Sequence, residues 1–200
     1  MTKLLFLLMV SCSPSELKID EASSAEDSQA PTVQMAPVGV IPADDCRQLD
    51  LGDTACNFAL LDQNGNSWEL YKHNDSVIVL DFSTVWCYPC QMAGHYAQPI
   101  QDEYADDNVK FVTVLLDGSI SGIEPTEEEI NEWVDSHSIT SAPILQGSRE
   151  KMLATDPDAY DGYLLSGFPT YVYIGRDMKF YSAHVGFNES RVRQTIEEAL

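Results

Sequence analysis

Two long apolar runs stand out along the chain and predict the centre of a sheet. Val77–Phe82 is almost continuously apolar and rich in β-branched residues, as is Val109–Leu116, and this composition is typical of strands that are covered on both faces. Between them, Met92, Tyr96 and Ile100 recur at every fourth position, which predicts one helical face turned towards the sheet. Strand, helix and strand therefore predict a right-handed βαβ unit with parallel strands.

Turn and capping signals predict further elements on both sides of this unit. Asn64-Gly65 lies between two short apolar segments and predicts a β-hairpin. Thr126 and Glu129 have the spacing of a capping box, which predicts the start of another helix. The remaining predicted elements are, in chain order, a short strand over Ala142–Leu145, a short helix over Arg149–Ala154, strands over Thr170–Ile174 and Lys179–Val185, and a C-terminal helix capped by Asn188. The pattern predicts a three-layer α/β sandwich, with a central mixed β-sheet, flanking helices and an N-terminal β-hairpin.

Two cysteines follow the first buried strand, in the sequence Cys87-Tyr88-Pro89-Cys90. Proline is tolerated in the first turn of a helix, so a helix that begins near Pro89 places Cys87 at its N-terminus and Cys90 one turn inside. The unpaired N–H groups and the positive end of the helix dipole favour a thiolate at Cys87. We therefore expect Cys87 to be the nucleophile, and Cys90 the resolving thiol, of thiol–disulfide exchange.

The segment Asp81–Cys90, DFSTVWCYPC, resembles the active-site segment of thioredoxin-like proteins. Gly167–Thr170 resembles the loop of that family that carries a cis-proline facing the disulfide, and Leu51–Gly65 is similar to the opening of the TlpA-like branch, whose members are exported and membrane-tethered. The similarity extends over roughly Leu51–Leu200. It implies a thioredoxin-like fold and thiol–disulfide oxidoreductase activity, with reduction of disulfides, for instance on apocytochrome c, favoured over their formation.

The resemblance implies roles for two residues beside the cysteines. Asp81 interrupts an apolar strand, and burial there disfavours a charged carboxylate. Asp81 is therefore expected to take the proton that Cys90 loses when it attacks a mixed disulfide; an acid paired with a lysine is the alternative. Pro169 is expected in the cis form, which would expose the backbone of Phe168 for strand-like pairing with a substrate; an ordinary trans turn is the alternative.

Three aromatic residues around the cysteines are expected to contact substrate, namely Trp86, Tyr88 and Phe168. Trp86 is expected to pack beside the cysteines and shape the contact surface, with core packing as the alternative. Tyr88 replaces the glycine that is common at this position in thioredoxin-like proteins. Phe168 replaces the smaller β-branched residue often found before the proline, so both residues change the surface offered to a substrate.

The N-terminus has the features of an export signal. Lys3 precedes the apolar run Leu4–Val10, which is too short to span a bilayer but has the length of a signal peptide. The run is followed by Cys12 and resembles a bacterial lipoprotein signal, in which this cysteine is lipidated; plain secretion and an uncleaved anchor are the alternatives. The predicted organisation is a signal peptide over 1–11, a flexible acidic and proline-containing tether over 12–45, and a thioredoxin-like domain over 46–200.

Export also bears on the other cysteines, because an oxidising compartment preserves disulfides. With Cys12 set aside for lipid and the two active-site cysteines paired, Cys46 and Cys56 are left. We expect these two to form a structural disulfide that pins the end of the tether to the first strand. Two unpaired thiols and a second redox pair are the alternatives.

The charge of the chain limits its partners. It has 11 basic and 32 acidic residues and a net charge of −21, so nucleic acid and anionic membrane surfaces are poor partners. The expected location is the bacterial cell envelope, facing the periplasm, with membrane contact only through an N-terminal lipid. The expected partners are protein thiols and disulfides, together with an electron donor or acceptor that the sequence does not identify; no cofactor and no metal are expected.

Two other classes of function stay open. One is a copper(I)-binding thioredoxin-like chaperone, because the segment with the two cysteines also contains two further soft ligands, Met92 and His95. The other is a redox-silent interaction module. A peroxidase is less favoured, since peroxiredoxins resemble the fold but place one attacking cysteine in a different motif.

Overall fold

The computed structural model describes residues 39–41, 50–154 and 162–200. The strands are β1 (Gly39–Ile41), β2 (Asn57–Asp62), β3 (Ser67–Glu69), β4 (Val77–Thr84), β5 (Val109–Asp117), β6 (Ile144–Gln146), β7 (Thr170–Ile174) and β8 (Phe180–Val185). The helices are α1 (Tyr88–Gly94), α2 (Ala97–Glu103), α3 (Glu127–Ser136), α4 (Arg149–Met152) and α5 (Glu189–Ala199), and a 3₁₀ helix (Leu70–His73) lies between β3 and β4.

The strands of the described part of the chain form one mixed sheet in the order β1-β2-β6-β5-β4-β7-β8, with β3 paired to β2. β4 lies between a parallel neighbour, β5, and an antiparallel neighbour, β7. β2 and β3, and likewise β7 and β8, form antiparallel pairs. The predicted βαβ unit, the predicted hairpin at Asn64-Gly65 and the mixed α/β sheet are confirmed.

Burial on both faces holds β4 at the centre of the sheet. Every residue of Val77–Thr84 is buried. Val77 and Val79 face a core to which α2, α3 and α5 contribute, whereas Ile78 and Leu80 face a second core that contains residues of β2 and α4. Burying an aliphatic side chain contributes about 1.5–3 kcal/mol, so a strand with this composition is strongly favoured between two layers. Helices pack on both sides of the sheet, as predicted.

The helix after the cysteines differs from the predicted continuous stripe. α1 ends at Gly94 and a new helix, α2, begins at Ala97, with Pro99 in its first turn, where a proline costs no internal hydrogen bond. Ile100 is fully buried, but Met92 is 47% exposed. The prediction that Met92 faces the sheet is therefore wrong, because the break between α1 and α2 turns it away from the face that Ile100 occupies.

The prediction of a flexible tether over 12–45 is wrong for Gly39–Ile41, because these residues form strand β1. Gly39–Ile41 pairs antiparallel with Asn57–Ala59 at the edge of the sheet. An edge strand presents unpaired N–H and C=O groups, and a short segment with Val40 and Ile41 can satisfy them. The rest of the predicted tether and the predicted signal peptide over 1–11 lie outside the described residues. No helix in the part of the chain that the structure describes combines the length and the apolar character of a membrane span.

α3 begins with the predicted capping box. The Thr126 hydroxyl accepts a hydrogen bond from the Glu129 N–H at 3.2 Å, and the Glu129 carboxylate accepts from the Thr126 N–H at 2.8 Å. Glu129 also accepts from the N–H of Ser119 at 2.7 Å, which ties the loop after β5 to α3. Hydrogen bonds from Ser119 and Thr126 lower the pKa of Glu129 to about 2, so this cap is charged at all physiological pH values.

Candidate active site

The first feature of the site is the pair of cysteines at the start of α1. Cys87 is the N-cap of the helix, with Pro89 in the first turn, and its Sγ accepts a hydrogen bond from the Cys90 N–H at 3.3 Å. Cys87 and Cys90 are disulfide-bonded, with their Cα atoms 5.2 Å apart. The helix starts where the sequence predicts and the two cysteines are paired, while their redox role stays a prediction.

The two sulfur-bearing residues have unequal environments. Cys90 is completely buried, whereas Cys87 keeps 5% of its surface exposed in this disulfide-bonded state. Tyr88, between them, is 75% exposed, so the outer side of the pair opens towards solvent. The exposure and the helix N-terminus are both on the side of Cys87. This arrangement agrees with the predicted order of attack, in which Cys87 meets the partner and Cys90 follows.

Asp81 lies on the same face of the sheet as the cysteines. Residues of β4 alternate between faces, and Val79 packs in the core that contains Cys87 and Cys90; Asp81 shares the orientation of Val79. Asp81 is 1% exposed and forms no ion pair with any described residue. The alternative of an acid paired with a lysine therefore has no support in the described structure.

Burial raises the pKa of Asp81 to about 7, an effect that a hydrogen bond from the Ser83 hydroxyl opposes. That hydroxyl donates to one carboxylate oxygen of Asp81 at 2.7 Å. The second oxygen, Oδ2, has no hydrogen-bond partner within the described residues. A carboxyl with a pKa near 7 exchanges protons readily at neutral pH, which is the property that a general acid and base needs.

Sequence reasoning missed a row of polar residues that crosses the sheet at the level of Asp81. Thr113 of β5 and Tyr171 of β7 are the strand partners of Asp81, and His184 of β8 is the partner of Tyr171. The His184 ring stacks on Tyr171 with centroids 5.2 Å apart, and burial lowers its pKa to about 4. No local pattern identifies this row, because only strand register brings its members together.

The loop before β7 forms the second side of the site. The peptide bond between Phe168 and Pro169 is cis, as predicted. Gly186 donates its N–H to the Pro169 carbonyl at 2.8 Å, and the Thr170 hydroxyl donates to the Gly167 carbonyl at 2.7 Å; these bonds fix the loop between β7 and the end of β8. Phe168 is half-buried and packs against the core cluster that contains both cysteines.

Trp86 lies against this loop, with its ring edge-on to Phe168 and the centroids 6.3 Å apart. Trp86 is 45% exposed, which disagrees with the alternative of core packing, and its contact with substrate stays a prediction. Its indole N–H donates to the carboxylate of Asp117 at 3.0 Å. Asp117 also binds Arg149, and neither Asp117 nor Arg149 was among the residues that the sequence predicts for the site.

Of the remaining predicted site residues, Cys56 is the one that lies within the described part of the chain. Cys56 is fully buried near the start of β2, and its predicted partner Cys46 lies outside the described residues, as does Cys12, so the structural disulfide and the lipidation stay predictions. Among the residues described, no group of three or more His, Cys, Asp or Glu side chains is arranged to hold a metal ion. The ring of His95 packs on that of His137, with centroids 4.7 Å apart.

A mixed sheet, a disulfide at a helix N-terminus and an adjoining cis-proline loop define the thioredoxin-like class of proteins. Within that class, the chain belongs to the AhpC/TSA family, whose model matches residues 51–175.

Relatives with names that describe redox chemistry support this assignment. The chain is 25% identical over 147 residues to the thiol-disulfide oxidoreductase ResA of Halalkalibacterium halodurans, a match that covers 74% of this chain and 73% of that protein. It is 29% identical over 103 residues to ResA of Oceanobacillus iheyensis, where the match covers 48% of this chain and only about half, 49%, of the relative. The predicted similarity to thiol–disulfide oxidoreductases is confirmed.

A solved structure extends the likeness to the fold. A Chlorobium tepidum protein assigned as the thiol:disulfide interchange protein DsbE is 25% identical and superposes with a TM-score of 0.60, covering 76% of this chain and 99% of that one. The predicted thioredoxin-like sandwich is thereby confirmed, and the ResA and DsbE names are consistent with the predicted TlpA-like branch.

Proposed function

We propose that the protein is an exported thiol–disulfide oxidoreductase that reduces disulfides in protein partners. The observation that carries this proposal is the disulfide between Cys87 and Cys90 at the N-terminus of α1, with Cys87 as the more exposed partner. A helix N-terminus stabilises a thiolate, so Cys87, the more exposed of the two cysteines, is the one prepared to attack. The resemblance to the TlpA-like branch favours the reducing direction.

The reaction begins with both cysteines reduced. The Cys87 thiolate attacks one sulfur of a substrate disulfide, so that a mixed disulfide forms and the other substrate sulfur leaves as a thiolate, which takes a proton from solvent. Cys90 then gives its proton to Asp81 and attacks the sulfur of Cys87. The Cys87–Cys90 disulfide forms, the second substrate sulfur leaves as a thiolate that takes up a proton, and Asp81 gives up the proton it received. Two electrons have then passed to the substrate. An external dithiol reductant returns the pair to the reduced state.

Three aromatic side chains adapt the chain to polypeptide substrates in this proposal. Trp86 and Tyr88 offer exposed aromatic surface on either side of Cys87, and aromatic surface binds side chains of many kinds. Phe168, before the cis-proline, provides the third contact. Such a surface selects for an accessible disulfide in an extended or unfolded chain more than for one particular sequence.

The direction of transfer is tested by the equilibrium of the Cys87–Cys90 pair with glutathione. We expect a reduction potential more negative than about −200 mV, nearer to thioredoxin at about −270 mV than to DsbA at about −120 mV. We also expect the protein to catalyse the reduction of insulin with dithiothreitol as the electron source. A potential close to that of DsbA would show that the protein oxidises its partners instead.

We further propose that Cys12 is lipidated and holds the domain at the membrane, which rests on the apolar run Leu4–Val10 and the cysteine that follows it. Expression of the full chain in a bacterium should give a membrane-bound protein. Cys12→Ala should move it to the soluble envelope fraction, because a stable anchor needs the acyl chains, while Cys56→Ala should leave it membrane-bound. Recovery of the Cys12→Ala protein in the membrane fraction would contradict lipidation.

A further inference from the structure

We infer that Arg149 and Asp117 are positioning residues for substrate binding, because they hold Trp86 and Phe168, two of the three aromatic side chains that the proposed function assigns to substrate contact. Asp117 fixes Trp86, which precedes the cysteine in the chain, and Arg149 fixes Phe168 on the opposite loop. The inference rests on the proposed function for its consequence, the binding of a polypeptide substrate. The contacts of Arg149 and Asp117 with Trp86 and Phe168 do not depend on that function.

Asp117 is the anchor of this arrangement, at the C-terminal end of β5. It is fully buried and accepts three hydrogen bonds from side chains. The Trp86 indole N–H donates to Oδ2 at 3.0 Å, and Arg149 donates through Nε to Oδ1 at 2.8 Å and through Nη2 to Oδ2 at 2.6 Å. Burial raises the pKa of Asp117, but these hydrogen bonds outweigh it and hold that pKa below its usual range.

Arg149 links this anchor to the cis-proline loop. Its guanidinium lies over the Phe168 ring, 5.6 Å from the centroid, within the range of a cation–π contact. Phe168 in turn meets Trp86 edge-on at 6.3 Å. Four side chains from β5, α4 and the two segments around the disulfide therefore form a closed circuit: Trp86 to Asp117, Asp117 to Arg149, Arg149 to Phe168, and Phe168 to Trp86.

The positive charge of Arg149 is paired with Asp117 and faces the ring of Phe168, both within this circuit. The bidentate pair with a buried carboxylate takes the forked face of the guanidinium, and Arg149 is the only cation paired with Asp117 among the described residues. A planar guanidinium can hold a carboxylate with one edge and cover an aromatic ring with its face, which a lysine ammonium cannot do. The role of Arg149 is thus to set the positions of Trp86 and Phe168 rather than to bind an anion.

Arg149→Lys separates geometry from charge. The lysine keeps a cation for Asp117 but loses the fork and the planar face, so Trp86 and Phe168 lose their common support. In the reduction of insulin, we expect the KM for insulin to rise about five- to tenfold. This is the scale of one lost cation–π contact and one lost hydrogen bond. We expect kcat and the rate at which iodoacetamide alkylates reduced Cys87 to stay within about twofold, because neither depends on the aromatic surfaces.

A second variant tests the same contact without leaving a buried charge unpaired, which could unfold the protein. Arg149→Met combined with Asp117→Asn removes both charges together, so no buried carboxylate is left unpaired. The asparagine oxygen still accepts from Trp86, while Phe168 loses its cation. The matched control is Lys151→Met, which removes an ion pair with Glu124 from the same helix without touching either aromatic residue; KM should not change in it.

Acrylamide quenching reads the geometry directly in the reduced protein. Trp86 is 45% exposed, whereas Trp68 and Trp133 are 8% and 2% exposed, so quenching of tryptophan fluorescence reports mainly on Trp86. We expect stronger quenching in Arg149→Lys and in the double variant than in the parent and in Lys151→Met. Unchanged quenching and unchanged KM in both variants would overturn the inference. If the parent does not reduce insulin, the proposed function fails, and quenching alone decides whether Arg149 positions Trp86.

Discussion

Replacing Cys87 with serine is expected to abolish thiol–disulfide exchange, with a loss in kcat/KM of at least about 10³-fold, as is usual when a covalent nucleophile is removed. Cys87 caps α1 and is the more exposed of the two cysteines, so no other described sulfur can take over its attack. The insulin reduction rate measures the effect. A circular dichroism melt of the reduced protein checks that the variant folds.

Cys90→Ser is the matched variant and is expected to behave differently. Cys87 can still attack, but nothing resolves the product, so mixed disulfides with partner proteins should accumulate and appear on non-reducing gels as species that reductant removes. Turnover should be lost in both variants, while trapping should occur only in Cys90→Ser. Trapping in Cys87→Ser instead would reverse the proposed roles of the two cysteines.

Asp81→Asn is expected to slow the resolution of the mixed disulfide by about 10²-fold or more, the usual contribution of a positioned acid or base. The carboxylate is buried on the same face of the sheet as the cysteines, with one oxygen, Oδ2, free of any described hydrogen-bond partner, and an amide cannot accept the Cys90 proton. In the parent, the resolution rate should rise with pH up to about 7, where Asp81 ionises, and this inflection should vanish in the variant.

Rapid-mixing experiments separate the two chemical steps. Attack by Cys87 on a model disulfide should differ by less than a fewfold between Asp81→Asn and the parent, since that step precedes the transfer to Asp81. The release of the mixed disulfide should carry the effect. If release has the same rate and the same pH dependence in both proteins, Asp81 does not accept the proton.

The same carboxyl predicts a pH-dependent stability. Its pKa is 3.8 in an exposed chain and about 7 in the fold, so between these values the folded protein holds a proton that the unfolded chain has released. The free energy of unfolding therefore falls as pH rises through this window. At 1.36 kcal/mol for each pKa unit, the free energy of unfolding at and above pH 7 is about 4 kcal/mol lower than it is below pH 4 because of this one carboxyl. Asp81→Asn should match the parent below pH 4 and be the more stable protein above pH 7.

Local signals explain which parts of this molecule could be predicted. The apolar composition of Val77–Phe82 requires two covered faces, Pro89 suits a first helical turn, and Thr126 and Glu129 carry their capping box within four residues. Each of these features is decided by neighbours in the chain. The disulfide pair could be predicted for the same reason, because its two cysteines share one turn of α1.

The parts that escaped prediction depend on distant segments. Asp117 and Arg149 are 32 positions apart, and only the folding of α4 against the end of β5 makes them partners. Tyr171 and His184 reach the level of Asp81 through strand register, which the pattern of either strand alone does not specify. β1 likewise forms only because the edge of β2 is available to it.

The central claim is that Cys87 is the reactive thiol of an unequal pair. It is tested most directly by alkylating the fully reduced protein with limiting iodoacetamide across a range of pH and locating the label by fragmentation mass spectrometry. The account predicts that Cys87 carries nearly all of the label, with an apparent pKa clearly below the ordinary value of about 8.5 for a cysteine, while Cys90 is labelled slowly. Equal labelling of the two cysteines, or preferential labelling of Cys90, would contradict it.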